Sequence, residues 1–431
     1  MSFFKWFYPG MGVKRWIFLC SLGLSLLVLV ALTAVRSLSQ VSLLIAAFAT
    51  AILIFGVFLV VVAIKNMLRT FVRALMPKEK EEDLVEIVYQ SRIERALERA
   101  PRVVAIGGGT GLSVLLQGLK LFTKNITAIV TVTDTGGSSG RLRDELDILP
   151  PGDIRNCLVA LADQEPLMSE LFQYRFEDGQ GLKGHSFGNL FITALSKVTG
   201  DFDRAIKESS KVLAIRGRVI PSCLENVSLV AHFEDGSVIE GETNITKKRK
   251  KIRSLNLTPE NCRATEEALD AIDNADIIIL GPGSLYTSVL PNLLIPEILE
   301  RVRESSAYKV YVVNIMTQPG ETEHLTAADH VRTLIEHTSS ELITSCIVNT
   351  GPIPEALLRL YEAEEASKVV LDVERIIEMG CQVISGDIVQ LDGQVRHSPE
   401  KLANLIFKKF EEYREKEENK DKNEKQIARV S

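Results

Sequence analysis

Along the 431-residue chain the pattern of hydrophobic and polar positions changes period several times. Two charge-free apolar runs come first, residues 16–35 and 41–64, with only Arg36-Ser-Leu-Ser-Gln40 between them. Roughly 20 helical residues cross a hydrocarbon core of about 30 Å, so each run predicts a transmembrane helix and the pair a hairpin within residues 1–80. A cleaved signal peptide would also start basic. The first run is long for a signal core, however, and a second, longer run follows at once. Next come charged residues with Leu84, Ile87, Val88, Ile93 and Leu97 at helical spacing. They predict a charged helical connector over residues 81–100, lying against the body or a second copy of it.

From residue 101 short β-type runs alternate with helical ones. Residues 102–106 are a short β-type run before a glycine run, and residues 112–121 repeat at helical period. Residues 126–133 are β-branched, residues 276–280 form a buried-type strand, and residues 309–315 form another. Continuous apolar strands alternating with helices predict a doubly wound parallel α/β sheet covered on both faces. Residues 227–233 and 238–245, separated by Glu234-Asp-Gly-Ser237, read instead as a small antiparallel β insertion. The body extends over residues 101–410. Residues 411–431 are nearly all charged and read as a solvated tail or frayed helix rather than a binding segment.

Charge sharpens this division. Residues 1–80 hold nine Lys/Arg and one acid, or +8; the remainder holds 41 bases and 55 acids, or −14, which together give the formal −6. An acidic body excludes a nucleic-acid binder held by bulk positive charge. Lys5, Lys14 and Arg15 precede the hairpin and Lys65, Arg69 and Arg73 follow it, while Arg36 alone marks the turn. Positive residues stay on the cytoplasmic side, so the expected location is the cell membrane, with both termini and the body in the cytoplasm. Six scattered cysteines without CxxC spacing fit reduced thiols and argue against a zinc site, so no metal is expected.

The candidate chemistry lies in the loops. Gly107-Gly-Gly-Thr-Gly111 joins a strand to a helix, where bare amides can meet a phosphate, although a structural tight turn explains the same residues. Leu112 stands where GxGxxG needs glycine, which disfavours a nicotinamide enzyme. Asp134 lies 23 residues beyond Gly111, near the place of a ribose-binding acid, and capping its own turn is the alternative. Arg141, after Thr135-Gly-Gly-Ser-Ser-Gly140, either clamps a diphosphate or pairs with Asp144, Glu145 or Asp147. The run 247–253, with five Lys/Arg in succession, is a solvated loop or a contact for anionic lipid or an acidic partner. Among the histidines His185, flanked by glycines, stands out, whereas His232, His330 and His337 read as structural.

Taken in order, GGGTG (107–111), DTGGSSGRLR (134–143), PPGDIRN (150–156), GHSFGN (184–189), GPGSLYTS (281–288) and MTQPGET (316–322) resemble the YvcK family of UDP-sugar-binding gluconeogenesis factors. The CofD 2-phospho-L-lactate transferase is its distant enzyme cousin. The resemblance covers residues 102–410 and leaves the hairpin outside. It implies a Rossmann-like, CofD-type body that binds UDP-N-acetylglucosamine and acts in cell shape and wall supply during gluconeogenic growth. It also implies that Gly107, Gly108, Gly109, Thr110 and Gly111, with Asp134, Gly136, Gly137, Ser138 and Arg141, hold phosphates and ribose. Asn189, Gly283, Ser284, Tyr286 and Thr287 would line the same cleft, and Tyr361 and Arg396 would complete the nucleotide-sugar contacts.

Two functions follow from different classes. One is a tethered regulator that binds a UDP-sugar and signals to a protein partner; the other is a CofD-like transferase of a phosphoryl-linked group. Transfer requires a base or metal, for which Asp134, Asp153 and His185 are the candidates. No tight carboxylate cluster stands out in the sequence, which favours the regulator. The expected partners are the UDP-sugar, membrane lipid around the hairpin and a protein, with a homo-oligomer compatible and no nucleic acid. No resident cofactor is expected beyond the nucleotide ligand.

Overall fold

The computed structural model describes residues 13–36, 43–75, 84–163 and 166–430, in two units divided near residue 95. In the first unit the helices Val13–Arg36 and Leu43–Leu75 pack on each other. A Cβ on Gly23 would stand 2.9 Å from the Gly56 carbonyl oxygen. Backbones approach this closely only where side chains are missing. The flanks are apolar and uncovered, with Phe18, Phe48, Phe55 and Phe58 all exposed. Among the described residues, Ala47–Met67 is long and apolar enough to cross a membrane, while the apolar part of the other helix, Arg15–Ala31, is shorter. The hairpin turn at 37–42 lies outside the described residues, as does residues 81–83 of the connector.

In the second unit the strands are β1 (Val103–Gly107), β2 (Ile126–Val130), β3 (Arg218–Pro221), β4 (Ser228–Phe233), β5 (Val238–Glu240) and β6 (Ile252–Thr258). They continue with β7 (Ile277–Leu280), β8 (Tyr308–Val312), β9 (Ser345–Asn349), β10 (Gln382–Gly386), β11 (Val389–Leu391) and β12 (Val395–His397). Seven form one sheet in the order β10-β9-β8-β7-β1-β2-β3, and every pair in it is parallel. Every residue of β1, β2, β7, β8 and β9 is buried, as a sheet covered by helices on both faces demands. From β1 the chain winds one way through β2 and β3; from β7 it winds the other way. The reversal between β1 and β7 leaves a crevice beyond their carboxyl ends, where ligands of open α/β sheets sit.

The antiparallel insertion is three-stranded, β5-β4-β6. Leu229, Ala231 and Phe233 turn inward at period two along β4. The expected second strand to residue 245 stops at Glu240, because Gly241 takes φ +89° and Glu242–Lys248 is helical. The third strand begins inside the basic run. Lys250 and Lys251 pair there with Asp235 and Glu234, and Arg249 pairs with Glu365. The connector is the helix Leu84–Arg99, whose last turn is tied to the body: the Leu97 carbonyl accepts from the Lys124 N–H at 3.0 Å. The final helix, Pro399–Val430, buries Leu402, Ala403 and Ile406 and continues through the charged residues beyond 410.

Candidate functional site

A cleft of about 600 Å³ opens at the carboxyl ends of β1 and β7. The glycine run there is less a loop than a junction: Gly107 ends β1, Gly109 begins the helix Gly109–Leu119, and only Gly108 lies between. Gly108 offers no side-chain cap, so amides of the first helical turn face the cleft without an intrahelical partner. Gly109 takes φ +65°, and its N–H bonds the Asp153 carboxylate. A Cβ on Gly111 would stand 2.6 Å from the Pro282 carbonyl oxygen and 2.9 Å from Gly283 Cα. The two glycine segments thus meet backbone to backbone.

After β7, Ser284 caps a single π-helical turn, Leu285–Val289, by accepting the Thr287 N–H at 3.1 Å. The Ser284 and Thr287 hydroxyls both turn to the Glu321 carboxylate. Asn314 Oδ1 accepts the Gly283 N–H at 3.3 Å. Across the cleft stand Tyr361 and Arg396. The Tyr361 hydroxyl accepts the Val395 N–H at 2.9 Å, which fixes the ring against the β11–β12 hairpin that carries Arg396. A ring held in this way is a surface on which a base can stack.

The electrostatics are unusual for an anion site. Burial, then the nearby Asp134, pushes the Asp153 carboxyl up to about 7. Burial followed by Asp134, Asp153 and Glu321 pushes Glu242 up to about 8. Burial also raises Glu321, against the hydroxyls of Ser284 and Thr287 that favour its charged form. The neighbouring His397 is lowered to about 4 by burial and is neutral. Near neutral pH Glu242 therefore mostly holds its proton and Asp153 holds one part of the time, and a protonated carboxyl can donate to a phosphoryl oxygen that a carboxylate would repel.

Nine of the sequence candidates line this cleft: Gly108, Gly109, Thr110, Gly111, Gly283, Ser284, Thr287, Tyr361 and Arg396. Gly107 lies within β1. Asp134, Gly136, Gly137, Ser138, Arg141, Asn189 and Tyr286 do not line it. Asp134 caps its own turn, accepting the Gly136 N–H at 2.7 Å, and acts on the cleft only through its field on Asp153 and Glu242. Ser138 joins a separate buried cluster, with His185 Nδ1 at 2.9 Å and Asn189 Nδ2 at 3.1 Å. Arg141 donates to the Lys183 carbonyl at 2.9 Å. Sequence reasoning missed Glu242 and Glu321. The first was hidden in an apparent strand, while the second sat in the MTQPGET motif without being singled out.

Residues 103–389 match the family described as 2-phospho-L-lactate transferase CofD. The gluconeogenesis factor of Bacillus subtilis (strain 168) is 52% identical over 307 residues, covering 71% of this chain and 97% of that protein. A relative from Nostoc sp. (strain PCC 7120) is 44% identical over 427 residues, covering 94% of this chain and 92% of its own, so that alignment reaches into the helical head. A crystal structure of a Bacillus halodurans protein superposes with a TM-score of 0.70 at 49% identity, covering 72% of this chain and all of that one.

Proposed function

The chain belongs to the CofD family and, within it, with the gluconeogenesis factors; on that premise we propose that it is a membrane-tethered binder of a nucleotide sugar. UDP-N-acetylglucosamine is the proposed ligand, and its occupancy is read by a protein partner in cell shape and wall supply during gluconeogenic growth. The observation that carries this reading is the meeting of two glycine segments at the point where the sheet reverses, beside a fixed tyrosine ring and an exposed guanidinium. The first supplies amides for a diphosphate, and the other two supply a stacking surface and a charge. Calorimetry of the full chain in detergent micelles is expected to give saturable UDP-N-acetylglucosamine binding, with Arg396→Ala weakening it about tenfold, the usual cost of one charge-assisted contact. Absence of heat and of any thermal shift with uridine nucleotides would refute the ligand.

The second reading, transfer of a phosphoryl-linked group, is favoured by Asp153, since a carboxyl near 7 is matched to proton transfer at neutral pH. Incubation with nucleotide sugar and candidate acceptors separates the two, because turnover followed by NMR belongs to an enzyme alone. The uncovered aromatic flanks of the paired helices support a lipid setting, and the flanking bases support a cytoplasmic body. The full chain is expected to stay in the pellet on alkaline extraction of membranes, with its body protected from protease added to intact cells. Cleavage from the outside would overturn the orientation.

A further inference from the structure

A second cavity, of about 660 Å³, shares Glu321 with the cleft but is otherwise lined by different residues. Its walls are the basic run Arg249–Arg253, the loop Thr322–Leu325 and the helix Ala327–His337. The volume is in the range that holds small molecules. Tyr286 belongs here: Ser284 and Thr287 of its segment line the cleft, while Tyr286 lines this cavity, edge-on to His337 with ring centroids 6.2 Å apart. Turns of π-helix recur at functional sites, and this one serves two hollows at once.

The charges around the cavity are unevenly committed. Most of its acids are held within the protein: Glu234 pairs with Lys251 at 2.6 Å, Asp329 with Arg332 at 3.0 Å, and Glu323 accepts the Gly320 N–H. Glu336 is the exception. Among the bases, Arg253 and His324 have no ion pair or hydrogen bond among the described residues, and both are exposed. The pairs of Lys250 and Lys251 are largely exposed, so a ligand anion can exchange for their partners at little cost. Arg332 is exposed, and its partner Asp329 stays held by Thr326 and Arg375 if the guanidinium turns to a ligand. A phosphate offers the oxygens that guanidinium groups bind as a fork.

We propose that this cavity is a second ligand site, for a small phosphate-bearing molecule held by Arg253 and Arg332, with a flat moiety beside Tyr286 and His337. The inference stands whether or not the cleft binds a UDP-sugar. It is tested with phenyl phosphate titrated into the full chain in detergent micelles, followed by phosphorus NMR, with UDP-N-acetylglucosamine present to occupy the cleft. Binding is expected to saturate at millimolar concentration or below, to weaken about tenfold in Arg253→Glu, and to be kept in Arg253→Lys. Arg253 is exposed, so the charge reversal leaves the core untouched. Arg396→Ala, a cleft variant, is expected to leave phenyl phosphate binding unchanged. Failure to saturate overturns the site, and so does weakening by Arg396→Ala without weakening by Arg253→Glu. The UDP-sugar titration of the same samples reports on the cleft independently.

Discussion

Exchange of Gly111 for valine is expected to weaken UDP-N-acetylglucosamine binding about a hundredfold and to lower the melting temperature by roughly 5 °C. The hydrogen of Gly111 is the only side chain that fits where the segments after β1 and β7 touch, since a Cβ would stand 2.6 Å from the Pro282 carbonyl oxygen. That neighbour is backbone, held in turn by the Asn314 contact to the Gly283 N–H, so it cannot swing aside like a flexible side chain. Overpacking of this kind costs about 3 kcal/mol, and in a large domain each kcal/mol moves the melting point by about 2 °C. Binding suffers more than stability. The amides of both segments must point into one hollow, and a displacement of about 1 Å disrupts several contacts together. Ser138→Ala serves as the comparison. It belongs to the cluster with His185 and Asn189, away from the cleft, and is expected to change affinity less than twofold. Retention of wild-type affinity by Gly111→Val would remove the cleft from the account.

The strands β1, β2, β7 and β8 were legible because they are short, largely apolar and bounded by turn residues; β3, β9 and β10, which carry Arg218, Ser345, Asn349 and Gln382, did not stand out locally. The insertion was harder. Residues 238–245 begin and end with β-type side chains, but among those side chains only Ile245 is fully buried, and Gly241 redirects the chain into a helix. The site was legible as chemistry and not as geometry. Several loops advertise exposed helix-start amides, but which of them share a hollow is decided by strand order, which the sequence does not display. The segments that meet follow β1 and β7, and Gly107 and Gly281 are 174 positions apart. The loop of Asp134 and Ser138 follows β2, one strand away from the reversal, and closes on its own cluster. Its acid still reaches the cleft through space, by raising Asp153 and Glu242.

That field leads to the second large effect: affinity for the nucleotide sugar is expected to fall about a hundredfold from pH 6 to pH 9. A diphosphate entering the cleft favours the neutral form of each nearby carboxyl, so binding takes up protons wherever those groups are ionised in the free protein. Asp153 near 7 and Glu242 near 8 are mostly protonated at pH 6 and mostly ionised at pH 9. Affinity loses up to tenfold per pH unit and per group once its value is passed. Stability follows with the same sign. Both folded-state values lie above the ordinary carboxyl values of 3.8 and 4.5, so the ligand-free body loses stability as the pH rises from about 4 toward 8. Calorimetry in buffers of different ionisation enthalpy measures the proton uptake directly. Glu242→Gln keeps the shape and a donor while removing the titration, so it should flatten the upper part of the profile and raise the melting point at pH 9. Asp153→Asn should act one unit lower, since its amide oxygen can still accept the Gly109 N–H. An affinity constant from pH 6 to pH 9, with no proton uptake, would mean that the ligand binds away from these carboxyls.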